Sequence, residues 1–504
     1  MHQVQSSGNP PSSAPVDGGL ASGGFRPVAA GERIVALDVV RGFALLGIFL
    51  MNVEFFSRPI ADLDAGLPVD AVGLDYWAGW FVHVFVRGKF WTMFSLLFGM
   101  GFAVMLTRAE RAGAAFVAPY LRRTLALGVI GALHYVFLWA GDILFSYAMG
   151  ALLLMVAFHA RPRLLFLLAG LCAVLAASCA LASKLIHAPL PWQPFVLIGV
   201  PLLLLAIVAA VLRRWPLSGM RNAGLVLYLL PFLAMTIGGG VMLLHPPQAR
   251  LQAAEQAAKT PAQKAELAKA EQERKESLQK HAAKIADETH VMSRGSYAEA
   301  VSLRARGFGQ HASQDAAFAM IVVGMFLLGA WFVRSGVMLD PAAHLPLFRR
   351  LAWFGIPLGL GASLIAAGIA THHVRGQNDG AFQLAMGLAM LGNLPASLGY
   401  VGAVVLAFHG RWRRWVAVLA PAGRMALTNY LLQSLAGTLF FYGYGLGHWG
   451  MGRAGQLLFV CVVFALQLLL SRWWLSRYRY GPMEWLWRGF TYLRWPRMRQ
   501  AAVA

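Results

Sequence analysis

Negative charge and cysteine are both scarce in this sequence. Of 504 residues only 22 are Asp or Glu, charged residues of either sign make up 13%, and there are 3 cysteines. Three cysteines cannot build a disulfide framework, and none sits in a CxxC pair. Cys172, Cys179 and Cys461 lie in apolar runs and read as small hydrophobes. No GxxxxGK[ST] loop, HExxH helix or GxSxG elbow occurs. Nucleotide-driven pumping, zincin proteolysis and hydrolase-fold lipase chemistry therefore lack their expected signals. The shortage of charge is the more decisive lack. A soluble domain is about 25% charged and about 45–50% apolar, whereas this chain is 58% apolar with a mean hydropathy of +0.58. Too little polar surface remains to solvate a globule of this size, so lipid is the expected solvent. The same apolar mass excludes a mostly disordered chain.

What is present is a series of long apolar runs. Twelve of spanning length occur, at about 36–56, 78–106, 121–140, 142–159, 163–183, 192–212, 222–244, 316–334, 349–371, 381–409, 416–441 and 455–475. The expected fold class is an all-α polytopic membrane protein with about twelve (10–12) transmembrane helices. The second run carries His83, Arg87 and Lys89 in its first third. That pattern predicts an interfacial helix over 76–87 and a true span from about 89.

The net charge of +21 would suggest nucleic acid in a soluble protein, but here the cations read as topology signals. With the N-terminus inside, 25 Lys or Arg fall in cytoplasmic segments, against Arg58, Lys184, Arg375 and Arg453 in short outer loops. This predicts N-in, C-in and an even number of crossings. Residues 1–32, rich in Gly, Ser and Pro, read as a disordered cytoplasmic tail without a removable signal peptide. Residues 33–244 hold about seven spans and 316–475 about five, and 476–504 read as a basic cytoplasmic tail. Between them, 245–315 is a polar insert expected at the outer face. There Thr260-Pro261-Ala262-Gln263 fits a capping box opening a helix with Leu267, Leu278 and Ile285 as a sparse stripe. Gly99-Met100 and Gly324-Met325, each followed by an Arg and then an Arg pair, suggest a weak repeat offset by six spans.

Polar groups inside lipid are costly and face the protein interior by default. Asp38 and Arg41, three apart, are expected to pair at the cytoplasmic end of the first run, and Asn52 needs partners nearer its outer end. His134 sits about six residues inside the outer end of the third run, roughly 9 Å deep at 1.5 Å per residue. Asp142 follows in a tight hairpin, as a helix cap or as the carboxylate that orients an imidazole. His134 and Asp142 lead the catalytic candidates, with His83 as a second histidine. Asn429 and Gln433, four apart, share a face and are candidates for substrate binding with Asn52 and Tyr147, or for helix-to-helix hydrogen bonding. His372 and His373 read as loop residues.

RIVALDVVRGFALLGIFLMNVEFF, KFWTMFSLLFGMGFAVML, RRTLALGVIGALHYVFLWAGDILFSYAMG, AGRMALTNYLLQS and YGPMEWLWR resemble the bacterial YeiB-like family (domain of unknown function 418) over about 33–160 and 316–490. The resemblance implies a polytopic inner (plasma) membrane protein. More distantly, the first span resembles that of transmembrane acyltransferases, including the heparan glucosaminide N-acetyltransferase group, in its Arg41-Gly42 pair and Asn52. Those enzymes take an acyl group from cytoplasmic acyl-CoA and deliver it across the membrane using a histidine. His83 is nearest in chain order and His134 has the better chemical neighbourhood.

The leading expectation is thus a membrane acyltransferase. Arg108, Arg111, Arg122 and Arg123 would hold the phosphates of an acyl-CoA co-substrate, and no permanently bound cofactor or metal is expected. The expected partners are the bilayer and a small-molecule, glycan or lipid acceptor, with a homo-oligomer allowed and no nucleic acid. A secondary transporter or lipid-moving protein is the alternative, followed by a scaffold that uses the insert.

Overall fold

The computed structural model describes residues 34–62, 71–187, 190–245, 260–373 and 379–500. The tail expected over 1–32 lies outside them. Helices follow one another as α1 (Val35–Asn52), α2 (Gly73–Phe81), α3 (Lys89–Arg111), α4 (Val117–Leu133), α5 (Leu144–His159), α6 (Pro162–Leu185), α7 (Gln193–Arg214) and α8 (Pro216–Leu244). After these come α9 (Pro261–Arg294), α10 (Tyr297–Arg334), α11 (Ile356–Ala370), α12 (Gly380–His409), α13 (Ala426–Phe441), α14 (Arg453–Arg477) and α15 (Pro482–Tyr492). Among the described residues the only strand-like pairing is one isolated bridge, Tyr478 with Arg499. Ten helical stretches among the described residues are long and apolar enough to cross a membrane. The two other expected spans fall on the shorter α5 and α13, of 16 residues each. The chain is a multi-pass, all-helical membrane protein.

Burial divides the helices into an inner and an outer set. The apolar windows of the Gly73–Arg111 stretch, which ends in α3, and of α10 are each 72% buried within the protein, whereas that of α6 is 17% buried. Apolar faces left uncovered on α6, α7 and α14, such as Leu167, Leu197 and Leu458, are what lipid would solvate. Small residues let the inner helices approach closely, as membrane packing requires. A Cβ on Gly99 would overlap the Phe326 backbone, and one on Gly329 would overlap the Leu96 carbonyl. Gly324, by contrast, faces Gly224 and Tyr228. The glycines of the suggested repeat meet unlike neighbours, so their surroundings carry no two-fold relation.

Several local expectations meet the structure directly. The second run breaks as its cations predict. A π-helical turn over Val82–Val86 ends α2, Gly88 takes φ +80°, and α3 starts at Lys89. Only glycine adopts that φ without strain, and Gly88 also packs directly on the Asn393 amide. Thr260 and Gln263 form the expected capping box at α9, each side chain bonding the other's backbone N–H at 3.3 Å.

Three segments differ from the sequence reading. The helix expected to enter at 316 begins at Tyr297, because Ser296 and Glu299 form a second capping box there. The run expected at 416–441 is interrupted: short turns over Arg413–Val416, Ala417–Leu419 and Ala420–Arg424 precede α13. The segment after α14, expected as a basic tail, is folded back over its described residues, with Trp485 Nε1 donating to the Pro496 carbonyl (2.7 Å) and Gln500 Nε2 to that of Leu475 (2.6 Å). One G-x-G-x-x-G stretch, Gly445 to Gly450, occupies the loop after α13. It follows a helix rather than a strand and so lacks the dinucleotide-binding context.

Candidate functional site

At the C-terminal end of α4 the helix widens into a π-helical turn, His134–Leu138, before the chain reverses near Gly141. Such turns leave carbonyls without helical donors, and they concentrate at functional sites. Here α10 supplies the donors: Arg304 Nε reaches the Val136 carbonyl (2.8 Å) and the Tyr297 hydroxyl reaches that of Phe137 (2.9 Å). Asp142 then caps α5, its Oδ2 accepting from the Phe145 N–H at 2.7 Å. The other carboxylate oxygen lies 2.7 Å from His134 Nδ1. Both readings of Asp142, cap and imidazole partner, therefore hold at once.

The second ring nitrogen of His134 lies 2.8 Å from Ser434 Oγ on α13. The His134 and Asp142 side chains are 1% and 0% exposed, and Ser434 is buried with them. A carboxylate bonded to Nδ1 holds the imidazole with Nε2 facing the hydroxyl, so Nε2 can act as a base toward Ser434. This is the nucleophile–base–orienter relation of hydrolases and acyltransferases, built across three elements in a water-poor setting. Sequence reasoning missed Ser434. It closes the GRMALTNYLLQS block, but a helical serine in a spanning segment has an ordinary role, bonding its own helix.

A cavity of about 280 Å³ lies on the other side of Tyr430. Its lining includes Arg41, Arg108, Arg123, Arg424 and Arg488 together with Asp38 and Glu484. The rest of the wall is mainly apolar, from Phe94, Leu97 and Phe98 to Ile143, Leu144, Tyr147 and Tyr430. The rings of Tyr430 and His134 are 5.2 Å apart between centroids, so one side chain separates the cavity from the imidazole.

The motifs that stand apart in the sequence converge on this cavity. Arg41 pairs with Asp38 at 3.0 Å as expected. The adjoining Gly42 admits the Leu419 carbonyl, and Gly423 sits against the Asp38 carbonyl, so the Arg41-Gly42 pair docks on the turn before α13. Glu484, from the YGPMEWLWR block, accepts from Leu427 N–H (2.7 Å), Thr428 N–H (3.1 Å) and the Thr428 hydroxyl (2.6 Å). A carboxylate at the N-terminus of α13 meets orphan N–H groups and the positive end of the helix dipole. Burial nonetheless pushes the Glu484 carboxyl above its usual range, with the hydrogen bonds from Thr428 and Leu427 opposing. The Arg123 guanidinium stacks 3.7 Å above the Trp487 ring, and Trp487 Nε1 donates to the Arg123 carbonyl at 2.7 Å.

The remaining predicted residues separate. Tyr147 lines the cavity, its hydroxyl donating to the Trp91 carbonyl (3.2 Å) and accepting from Ser95 (3.1 Å). Arg111 and Arg122 lie outside the cavity lining, unlike Arg108 and Arg123. Asn429 donates to Ser471 Oγ (2.9 Å) and Gln433 to Gln467 Oε1 (3.0 Å), so both amides join α13 to α14. Asn52 is buried at the C-terminal end of α1 and is not part of the cavity lining. His83 belongs to a second, smaller cavity with Arg87, Lys89 and His373.

The family model "Protein of unknown function (DUF418)" matches residues 332–494, the part that carries Tyr430, Ser434, Glu484 and Trp487. Uncharacterized protein YxaH of Bacillus subtilis (strain 168) is 29% identical over 480 residues, covering 94% of this chain and 97% of that protein. Uncharacterized protein YeiB of Escherichia coli (strain K12) is 30% identical over 470 residues, covering 91% of this chain and 96% of that protein. No solved structure matches. With its helical membrane architecture and near-full-length similarity to YeiB, the chain belongs to the YeiB-like DUF418 family.

Proposed function

We propose that this protein is a membrane-embedded acyltransferase. It takes an acyl group from cytoplasmic acyl-CoA and passes it to a hydroxyl- or amine-bearing acceptor at the outer face of the bacterial plasma membrane. One observation carries the reading: a cavity lined by arginines, by Asp38 and Glu484 and by a largely apolar wall includes Tyr430, whose ring packs against the buried His134 of the Ser434–His134–Asp142 arrangement. Arg108 and Arg123 hold the phosphates in this reading, and the apolar wall holds the acyl chain. Tyr430 turns aside to admit the thioester. His134 Nε2 takes the proton from Ser434 Oγ as that oxygen bonds the thioester carbonyl carbon. The C–S bond then breaks and the CoA sulfur leaves with the proton from the imidazolium. The acceptor oxygen or nitrogen next gives its proton to His134 and takes the acyl group, and Ser434 recovers its hydrogen. Asp142 keeps the imidazole oriented and stabilises its charged form. In this reading an N-in, C-in arrangement of about twelve crossings would put the arginines inside and His134 toward the outer side.

Proteoliposomes given labelled acyl-CoA on the arginine side test this. Transfer of label to acceptors on the opposite side, lost in His134→Ala and kept in His83→Ala, is the expected result. Substrate flux without acyl transfer would replace the reading with a transporter.

A further inference from the structure

The second cavity, of about 70 Å³, lies where α2 gives way to α3, against α11 and α12. His83, Lys89, Ser363, His373 and Asn393 line it among apolar residues. Two acceptors in this wall are unmet. Asp379 caps α12 through the Phe382 N–H (2.7 Å) and sets its other carboxylate oxygen 3.0 Å from His373 Nδ1. The proton of the neutral imidazole is held on that side, which makes Nε2 an acceptor. Asn393 turns its NH2 group to Met390 Sδ (3.5 Å), so the amide oxygen is the end left over. His373 Nε2 and Asn393 Oδ1 are both buried and have no hydrogen-bond partner among the described residues.

Lys89 brings the opposite need. It is 1% exposed, and its ammonium has three N–H donors, which meet Ser363 Oγ at 2.7 Å and the Arg87 carbonyl at 3.2 Å. One donor and two acceptors therefore lack partners around one small space, and each such group is costly to bury. An oxyanion only accepts and would leave His373 and Asn393 unmet. A cationic ligand only donates. It would also lie against Lys89 and Arg87, the latter engaged elsewhere and adding only positive charge, with no carboxylate in the lining among the described residues. A hydroxyl group donates and accepts at once. Water shares that property, but the carbon chain of a polyol also covers the apolar part of the wall, Ala366, Ala370 and Phe382. One water needs roughly 10–15 Å³ of such space, so about five to seven non-hydrogen atoms fit, which admits glycerol and excludes a hexose.

We infer that this cavity is a binding site for a small neutral polyol of glycerol's size, one hydroxyl accepting from Lys89 while others donate to His373 Nε2 and Asn393 Oδ1. The site does not depend on the acyltransferase reading, and its test needs no acyl donor. Purified protein in a deuterated detergent without hydroxyl groups is titrated with glycerol, and binding is read by saturation-transfer difference NMR. The comparison ligand is 1,2-dimethoxyethane, which is similar in size and accepts hydrogen bonds without donating them. Saturable transfer to glycerol, with dimethoxyethane at least ten-fold weaker, is the expected result. H373F and, separately, N393L weaken glycerol binding at least five-fold, while Arg111→Ala, outside the cavity, leaves it unchanged. Either variant suffices should the other fail to fold. Absence of saturable transfer to glycerol in the wild type, the outcome if water alone fills the cavity, would overturn the inference. Equal binding of dimethoxyethane, or glycerol binding unchanged in the folded variants, would do the same.

Discussion

His134 Nε2 and Ser434 Oγ stand 2.8 Å apart, although 300 positions separate them in the chain. The contact joins the hairpin after α4 to the middle of α13, and it puts a hydroxyl on the ring nitrogen that Asp142 leaves available. In lipid a lone buried histidine would need only one such partner to avoid the cost of an unmet polar group. This one has two, of opposite character, and a cavity edged with arginines one aromatic ring away. The proposed relay rests on that combination.

The two arginine pairs, Arg108 with Arg111 and Arg122 with Arg123, are predicted to divide. R108Q and R123Q remove cations that line the cavity. Each charge-assisted hydrogen bond is worth about 1.5–3 kcal/mol, so each variant should raise the KM for acyl-CoA roughly ten-fold or more. R111Q and R122Q should change it less than about two-fold, within the effect expected of surface charge. Steady-state kinetics over a series of acyl-CoA concentrations decide this, and equal effects of all four would mean that the arginines serve topology alone.

Glu484 gives a pH prediction. Its folded-state carboxyl is held above the usual range by burial, so the folded protein binds this proton more tightly than the unfolded chain does. The contribution of Glu484 to stability is therefore full below the usual carboxylate pKa and declines as pH rises through the raised one. Glu484→Gln is expected to flatten that decline. Glu484→Ala leaves the N–H groups of Leu427 and Thr428 without their acceptor and should cost about 1–3 kcal/mol. Unfolding temperatures of the three proteins between pH 4.5 and 8 measure both effects, and parallel curves for wild type and Glu484→Gln would contradict the first.

The α3–α10 contact sets a packing prediction. Gly329 lies against the Leu96 carbonyl, with no space for a side chain. Gly329→Val should cost about 1–3 kcal/mol or more through overpacking, while Gly101→Val, whose added Cβ meets nothing within 4 Å, should cost less. Comparing the two unfolding temperatures in detergent tests this, and equal losses would contradict the close approach.

The fold was legible where its signals were local. Composition and run length identify a helical membrane protein, and His83, Arg87 and Lys89 mark the break before α3 correctly. Asp142 could be paired with His134 because both lie in one hairpin, eight residues apart. Ser434, Glu484 and Trp487 could not be placed, since their partners come from distant helices whose mutual rotation no single-chain periodicity fixes. Asn429 and Gln433 share a face as their spacing dictates, yet only the packed structure shows that this face meets α14. The four arginines looked alike in sequence, and packing alone separates Arg108 and Arg123 from Arg111 and Arg122.

The most direct test of the central claim is covalent labelling. Purified wild-type protein is incubated with labelled acyl-CoA in the absence of acceptor, and the modified residue is located by peptide mass spectrometry. The account predicts acyl label on Ser434 in wild type, lost in Ser434→Ala and in His134→Ala, with acyl-CoA binding retained in both. Wild-type protein that neither binds acyl-CoA nor takes up label, or a Ser434→Ala variant that transfers acyl groups at the wild-type rate, would contradict it.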